Sequence, residues 1–171
     1  MTTLYLVRHG ETVDNLNRII QGQTQGRLNA TGLQQAEQIA GELADKHFDA
    51  ILSSDLKRAI DTASIIALPH GLEVATTPLL RERDWGSFTG RYIPDLKFIK
   101  KSEWPNDIES LDHLQNRAKS FLRFILKTYR GKCVLAVGHG IINKAIQAVH
   151  YKRPMKDITP MANVEVRVLE L

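Results

Sequence analysis

Apolar residues recur along this chain with two periods, short and helical, and the two alternate. Leu4–Val7 is a short apolar run that reads as a buried strand. Asn15–Ala30 is polar and glycine-bearing and predicts a loop. Thr31 then opens a predicted helix, with Gln34 as capping-box partner and Leu33, Ala36, Ala40, Leu43 and Ala44 on one face. "FDAIL", Phe48–Leu52, predicts a second strand. Ser53, Ser54 and Asp55 offer caps for a helix whose inner face is Leu56, Ala59, Ile60, Ala63 and Ala67. "LEVATT" reads as a short third strand, after which periodicity dissolves from Pro78 to Ser110. A helix follows with Leu111, Leu114, Ala118, Phe121, Leu122 and Ile125 aligned. Cys133–Val137 predicts a buried strand, Ile142–Val149 a helix, and Val164–Val168 an alternating last strand.

Strands spaced by helices of this length predict an α/β fold, a three-layer α/β/α sandwich around a mostly parallel sheet. The chain of 171 residues, 43% hydrophobic, is long enough to bury a core without disulfide or metal staples, and a single domain over 1–171 is expected. Its one cysteine, Cys133, reads as a buried inert thiol and excludes an internal disulfide. No apolar stretch approaches the ~18 residues of a membrane helix. With no basic-then-apolar leader pattern at the N-terminus, a cytoplasmic protein without membrane partners is expected. The net charge of +4 suits an anionic substrate but is too small to indicate nucleic acid.

In an open parallel sheet, ligands sit outside the carboxyl ends of the strands. Three predicted ends carry chemistry: Arg8-His9-Gly10, Ser53-Ser54-Asp55 with Arg58 just beyond, and Gly138-His139-Gly140. Singly, each has an ordinary explanation: a histidine after a strand is commonly a structural hydrogen-bonder, and Arg58 a solvated charge. In combination they describe a phosphate pocket around an imidazole. Glycines beside both histidines allow close approach, helix N-termini supply N–H donors, and arginine forks match phosphate oxygens. Glu82, within "LLRERDWGSFTG", is locally as compatible with a surface carboxylate as with a catalytic acid.

The motifs resemble the histidine phosphatase superfamily, the phosphoglycerate-mutase-like proteins. Arg8, His9, Gly10, Glu11, Thr12 and Asn15 match R-H-G-E-T-x-x-N. Gln21-Gly22 and "LNATGLQQA" resemble the next block, "SSDLKRAIDTA" the second arginine block, "LRERDWGSFTG" the acid block and "VGHG" the late histidine block. The resemblance spans nearly the whole chain. It implies catalytic roles for His9, Glu82, His139, Arg8 and Arg58, and substrate contacts from Arg8, Asn15, Gln21, Gly22, Arg58, His139 and Gly140. Two departures stand out: Gln25 and Arg27 occupy the loop before "LN", where substrate groups could be read, and Lys144 replaces a common arginine.

The implied reaction is phosphoryl transfer to a neutral His9 and then to water, with Glu82 as acid and base and no metal or other cofactor. The expected partner is a small phosphorylated metabolite. The expected enzyme is a metal-independent phosphomonoesterase of the phosphatase branch. The alternatives are a cofactor-dependent phosphoglycerate mutase, an inactive phosphate-binding module and, least supported, a nucleic-acid binder. The short segment between the acid and late-histidine blocks favours hydrolysis. Residues 91–110, with Arg91, Lys97, Lys100 and Lys101 among aromatic residues, read either as a solvated basic loop or as a short lid. Monomer and homodimer both remain open.

Overall fold

A computed structural model describes residues 1–171. Five strands form one sheet in the order β3-β2-β4-β1-β5. They are β1 (Thr3–Arg8), β2 (Ala50–Ser53), β3 (Val74–Thr76), β4 (Cys133–Gly138) and β5 (Val166–Glu170). All neighbouring pairs are parallel except β1 with β5. The helices are α1 (Val13–Asn17), α2 (Ala30–Leu43), α3 (Lys57–Ala67), α4 (Leu111–Thr128) and α5 (Gly140–Tyr151).

Side-chain alternation divides the strands between two cores. Leu4 and Leu6 of β1, Leu52 of β2, and Val134 and Ala136 of β4 face α4 and α5, where Phe121, Ile125 and Ile146 meet them. Val7, Ile51, Leu135 and Val137 point the other way, onto Ala40 and Leu43 of α2 and Ala63 and Ile66 of α3. Both faces of the central strands are therefore covered, which is why they read as continuous apolar runs. This is the three-layer arrangement the pattern predicts.

Local chemistry departs from the expectations in several places. Asn29, not Thr31, caps α2, accepting from the Gly32 N–H at 2.8 Å. The predicted loop at Asn15–Ala30 starts inside α1, whose capping box joins Thr12 and Asn15. Leu56 occupies the N-cap of α3 without a side-chain bond, because Ser54 and Asp55 are engaged elsewhere. Leu33 and Leu111 lie in the first turns of their helices and are exposed, as is Ala44, while Ile39 joins the core instead. Cys133 is half-buried rather than buried, and burial raises its thiol pKa. The last strand starts two residues later than predicted. Val164 instead takes a left-handed turn (φ +54°) that gives its N–H to the Arg8 carbonyl at 2.9 Å. No helix is long and apolar enough to cross a membrane.

Candidate active site

Parallel pairing fixes the site, because it brings three strand ends to one level. Arg8 at the end of β1 pairs with Gly138 at the end of β4, and Ser53 at the end of β2 lies beside Val137. The His9 N–H continues the ladder to the Gly138 carbonyl at 3.1 Å. His9 is 2% exposed. Its Nδ1–H donates to the Gly10 carbonyl at 2.7 Å, so the ring lone pair resides on Nε2. Burial holds the His9 pKa well below the usual histidine value, with Arg58 and then Arg8 adding to the effect and the Gly10 carbonyl opposing it. His9 is a neutral imidazole.

Arg58 lies in the first turn of α3 and is 1% exposed, so it is no solvated surface charge. Its guanidinium donates to the carbonyls of Gly22 at 2.8 Å and of Thr24. Burial lowers its pKa to about 10, which leaves it charged at neutral pH. Arg8 donates to the Met161 carbonyl at 2.7 Å. His139 is fully buried, its ring centroid 5.0 Å from that of His9. Burial and the neighbouring Arg58 keep it neutral too. Its Nε2 lies 2.6 Å from Ser54 Oγ, which also accepts the Leu56 N–H. His139 Nε2 is the one acceptor within reach of the Ser54 hydroxyl, so its proton points there and the ring proton sits on Nδ1.

Arg8 Nε, Arg58 Nε and His139 Nδ1 are all buried without a partner. Leaving one buried donor unpaired costs about 1–3 kcal/mol. Three around one neutral imidazole describe a seat for an oxyanion.

Glu82 comes from the irregular segment after β3. Its Oε1 accepts the N–H groups of Arg83 at 2.9 Å and of Ile141 and Ile142 at 3.1 Å. Oε2 shares only the Ile141 N–H. A Cβ built on Gly140 would lie 3.7 Å from Oε2 and 3.6 Å from the Arg8 guanidinium carbon, so this oxygen is on the cleft side. The second and third N–H groups of α5 therefore hold Glu82 rather than a ligand, and Gln25 takes those of Lys57 and Arg58 in α3. Of the helix-terminal donors that the sequence predicts, the Gly140 N–H stays free and the others are taken within the chain.

Behind Glu82, Arg117 of α4 fixes the backbone. It donates to the carbonyls of Leu79 at 3.1 Å, Arg81 and Glu82 at 3.3 Å, and is anchored by Glu109 at 2.8 Å. Glu109 also accepts the Asp84 N–H at 3.1 Å. A polar depression of about 440 Å³ lies here, where Glu109 already pairs with His113 and Arg117, Arg81 with Asp55, and Asp84 and Asp107 accept backbone N–H groups.

The candidate cleft has a volume of about 410 Å³, toward the lower end of small-molecule pockets. It brings together Arg8, His9, Asn15, Gln21, Gly22, Arg58, Glu82 and Gly140, while His139 is buried behind it against His9. Asn15 Oδ1 is committed to capping Thr12, so its amide nitrogen is its remaining donor. Gln25 and Arg27 do not line the cleft. The wall from segment 91–110 is apolar, supplied by Ile93 and Leu96; Arg91 and Lys97 stack on Phe88 and Phe98 instead. Close approach at the glycines is made by the protein itself: Gly10 abuts Gly32, and Gly138 abuts Asn143.

Sequence reasoning missed Ser54 as partner of His139, the Arg117–Glu109 pair, and Asn163, which donates to the His9 carbonyl at 2.9 Å. Ser54 was visible only as a cap candidate. The others carry no pattern signal, because they act on backbone carbonyls or through distant sequence.

A profile of the histidine phosphatase superfamily (branch 1) matches residues 4–171. The chain is 37% identical over 153 residues to a probable phosphoglycerate mutase GpmB of Proteus mirabilis, covering 82% of this chain and 71% of that protein. It is 39% identical over 163 residues to the metal-independent phosphoserine phosphatase of Arabidopsis thaliana, covering 85% and 67%. The solved structure of Bacillus stearothermophilus YhfR superposes with a TM-score of 0.92 at 27% identity, covering 100% of this chain and 92% of that one. Motifs, sheet order and profile agree: the chain belongs to the histidine phosphatase superfamily.

Proposed function

We propose that this protein is a phosphomonoesterase that hydrolyses a small phosphorylated metabolite through a phosphohistidine on His9, without a metal ion. The carrying observation is the neutral His9, with its Nε2 lone pair free, among three buried unpaired donors. In the first step Nε2 attacks phosphorus and the bond to the leaving oxygen breaks. Glu82 Oε2 gives that oxygen its proton, and the alcohol departs. In the second step water attacks the phosphohistidine, Glu82 takes the water proton, and the N–P electron pair returns to Nε2. Arg8 Nε, Arg58 Nε and His139 Nδ1 hold the non-bridging oxygens throughout, neutralising charge that metal ions carry in other phosphoryl-transfer sites. The Ser54 hydroxyl keeps the His139 proton on Nδ1.

Relatives carry both mutase and phosphatase names, so names alone do not choose between returning the phosphoryl group to a metabolite and giving it to water. The compact 91–110 segment favours water. The experiment is product analysis with 3-phosphoglycerate and a trace of its bisphosphate, beside p-nitrophenyl phosphate hydrolysis with EDTA present. We expect phosphate release to outpace isomerisation, turnover to survive EDTA, and His9→Ala to abolish it in a folded protein. Faster isomerisation establishes the mutase, and loss of activity with EDTA overturns the metal-free mechanism.

A further inference from the structure

Two of the sequence motifs contain residues that the phosphate seat does not use. "LNATGLQQA" supplies Gln35 on α2, and "SSDLKRAIDTA" supplies Thr62 on α3. Neither side chain lines the cleft. Both reach instead to the turn that carries His9.

The two peptide units around Gly10 present four polar groups, and each has a partner. The His9–Gly10 unit is held at both ends. Its N–H donates to Thr62 Oγ1 at 3.1 Å, and its carbonyl accepts the Asn163 side-chain amide at 2.9 Å. Thr62 is fully buried, and its hydroxyl in turn donates to the Arg58 carbonyl at 2.8 Å. In the Gly10–Glu11 unit the N–H donates to Gln35 Oε1 at 2.9 Å. The other end of that unit is the carbonyl that accepts His9 Nδ1–H at 2.7 Å. A trans peptide is flat, with its N–H and C=O pointing opposite ways. By fixing the N–H, Gln35 therefore aims the carbonyl at the His9 ring. The turn also lies against the start of α2, where a Cβ on Gly10 would come within 2.6 Å of the Gly32 carbonyl oxygen.

The hydrogen bond made by one imidazole nitrogen decides where the proton of a neutral ring sits. Burial keeps the His9 ring uncharged but does not choose between its two nitrogens. The Gly10 carbonyl makes that choice, and attack on phosphorus by Nε2 depends on it. We propose that Gln35 is a positioning residue for the nucleophile: through the Gly10–Glu11 peptide it holds the His9 proton on Nδ1 and so keeps the lone pair on Nε2, with Thr62 steadying the preceding peptide. This rests on the phosphomonoesterase reading of the site.

Nitrogen-15 NMR of the histidine-labelled protein reads the tautomer without turnover, the His9 signals being those lost in His9→Ala. In the wild type Nδ1 should carry the proton and Nε2 should resonate as a bare ring nitrogen. Gln35→Met removes the acceptor at a half-buried position with little change in side-chain length. It should move the His9 proton in part to Nε2 and lower kcat/KM for p-nitrophenyl phosphate about fivefold or more, the order of one lost hydrogen bond. Inorganic phosphate, titrated by calorimetry, should bind no more than about twofold more weakly, because Arg8, Arg58 and His139 are untouched. Gln35→Glu keeps an acceptor oxygen at the same reach and should recover most of the turnover. Thr62→Val should shift the tautomer in the same direction, and Thr62→Ser should not. An unchanged His9 tautomer in Gln35→Met overturns the proposal, as does phosphate binding that falls in step with kcat/KM. A tautomer shift in a protein that never hydrolyses phosphomonoesters sinks the esterase reading alone, and lost turnover without a tautomer shift sinks this proposal alone.

Discussion

His9 and His139 are neutral because they are buried between two guanidinium groups, and this makes stability depend on pH in a defined direction. The unfolded chain binds a proton on each histidine near pH 6.5, while the native state resists it. Below that pH the unfolded state holds more protons, so stability falls as pH falls and is level above it. Each histidine contributes up to about 1.4 kcal/mol per pH unit in that window. Denaturant titrations between about pH 7.5 and 5.5 should show the decline, and His139→Asn should reduce its slope by about half. A slope unchanged by His139→Asn contradicts the burial argument. Residue types at this scale were legible in sequence: two histidines and two arginines follow strand ends, while Glu82 was singled out only by the family motif. Their partners were not. Nothing in the spacing of Ser54 and His139 announces a hydrogen bond across 85 residues.

The Glu82 segment has little regular structure of its own beyond short 3-10 turns, and α4 supplies its rigidity through Arg117. A side chain that grips backbone carbonyls leaves no trace in an apolar pattern, which is why α4 reads from sequence as core packing alone. If the grip positions Glu82 Oε2, its loss harms only reactions that need a proton on the leaving group. Arg117→Met should lower kcat about tenfold or more with alkyl phosphates and less than about threefold with p-nitrophenyl phosphate, whose leaving group departs unprotonated. Equal losses with both substrates would confine Arg117 to stability. Helix positions were legible from period, whereas the caps were misplaced at α2 and α3. At α3, Ser54 and Asp55 answer to tertiary partners that local sequence does not contain, whereas at α2 the cap is the local Asn29–Gly32 bond, two residues before Thr31.

For the molecule as a whole, the layered fold was legible because β1, β2 and β4 are covered on both faces and read as apolar runs between amphipathic helices. The strand order was not, since pairing of β1 with β4 joins residues more than a hundred positions apart. That pairing is what sets His9 beside His139 and so makes the site. The proposed reaction turns on the next event, formation of a phosphohistidine on His9. Its most direct measurement is trapping: mix enzyme with a radiolabelled phosphomonoester, quench in alkaline detergent within the first turnover, and locate the label by peptide mapping. A phosphohistidine intermediate leaves an alkali-stable, acid-labile phosphoryl group on the peptide containing His9, absent from His9→Ala. Turnover with no phosphoenzyme at any time, or label on another residue, would contradict it.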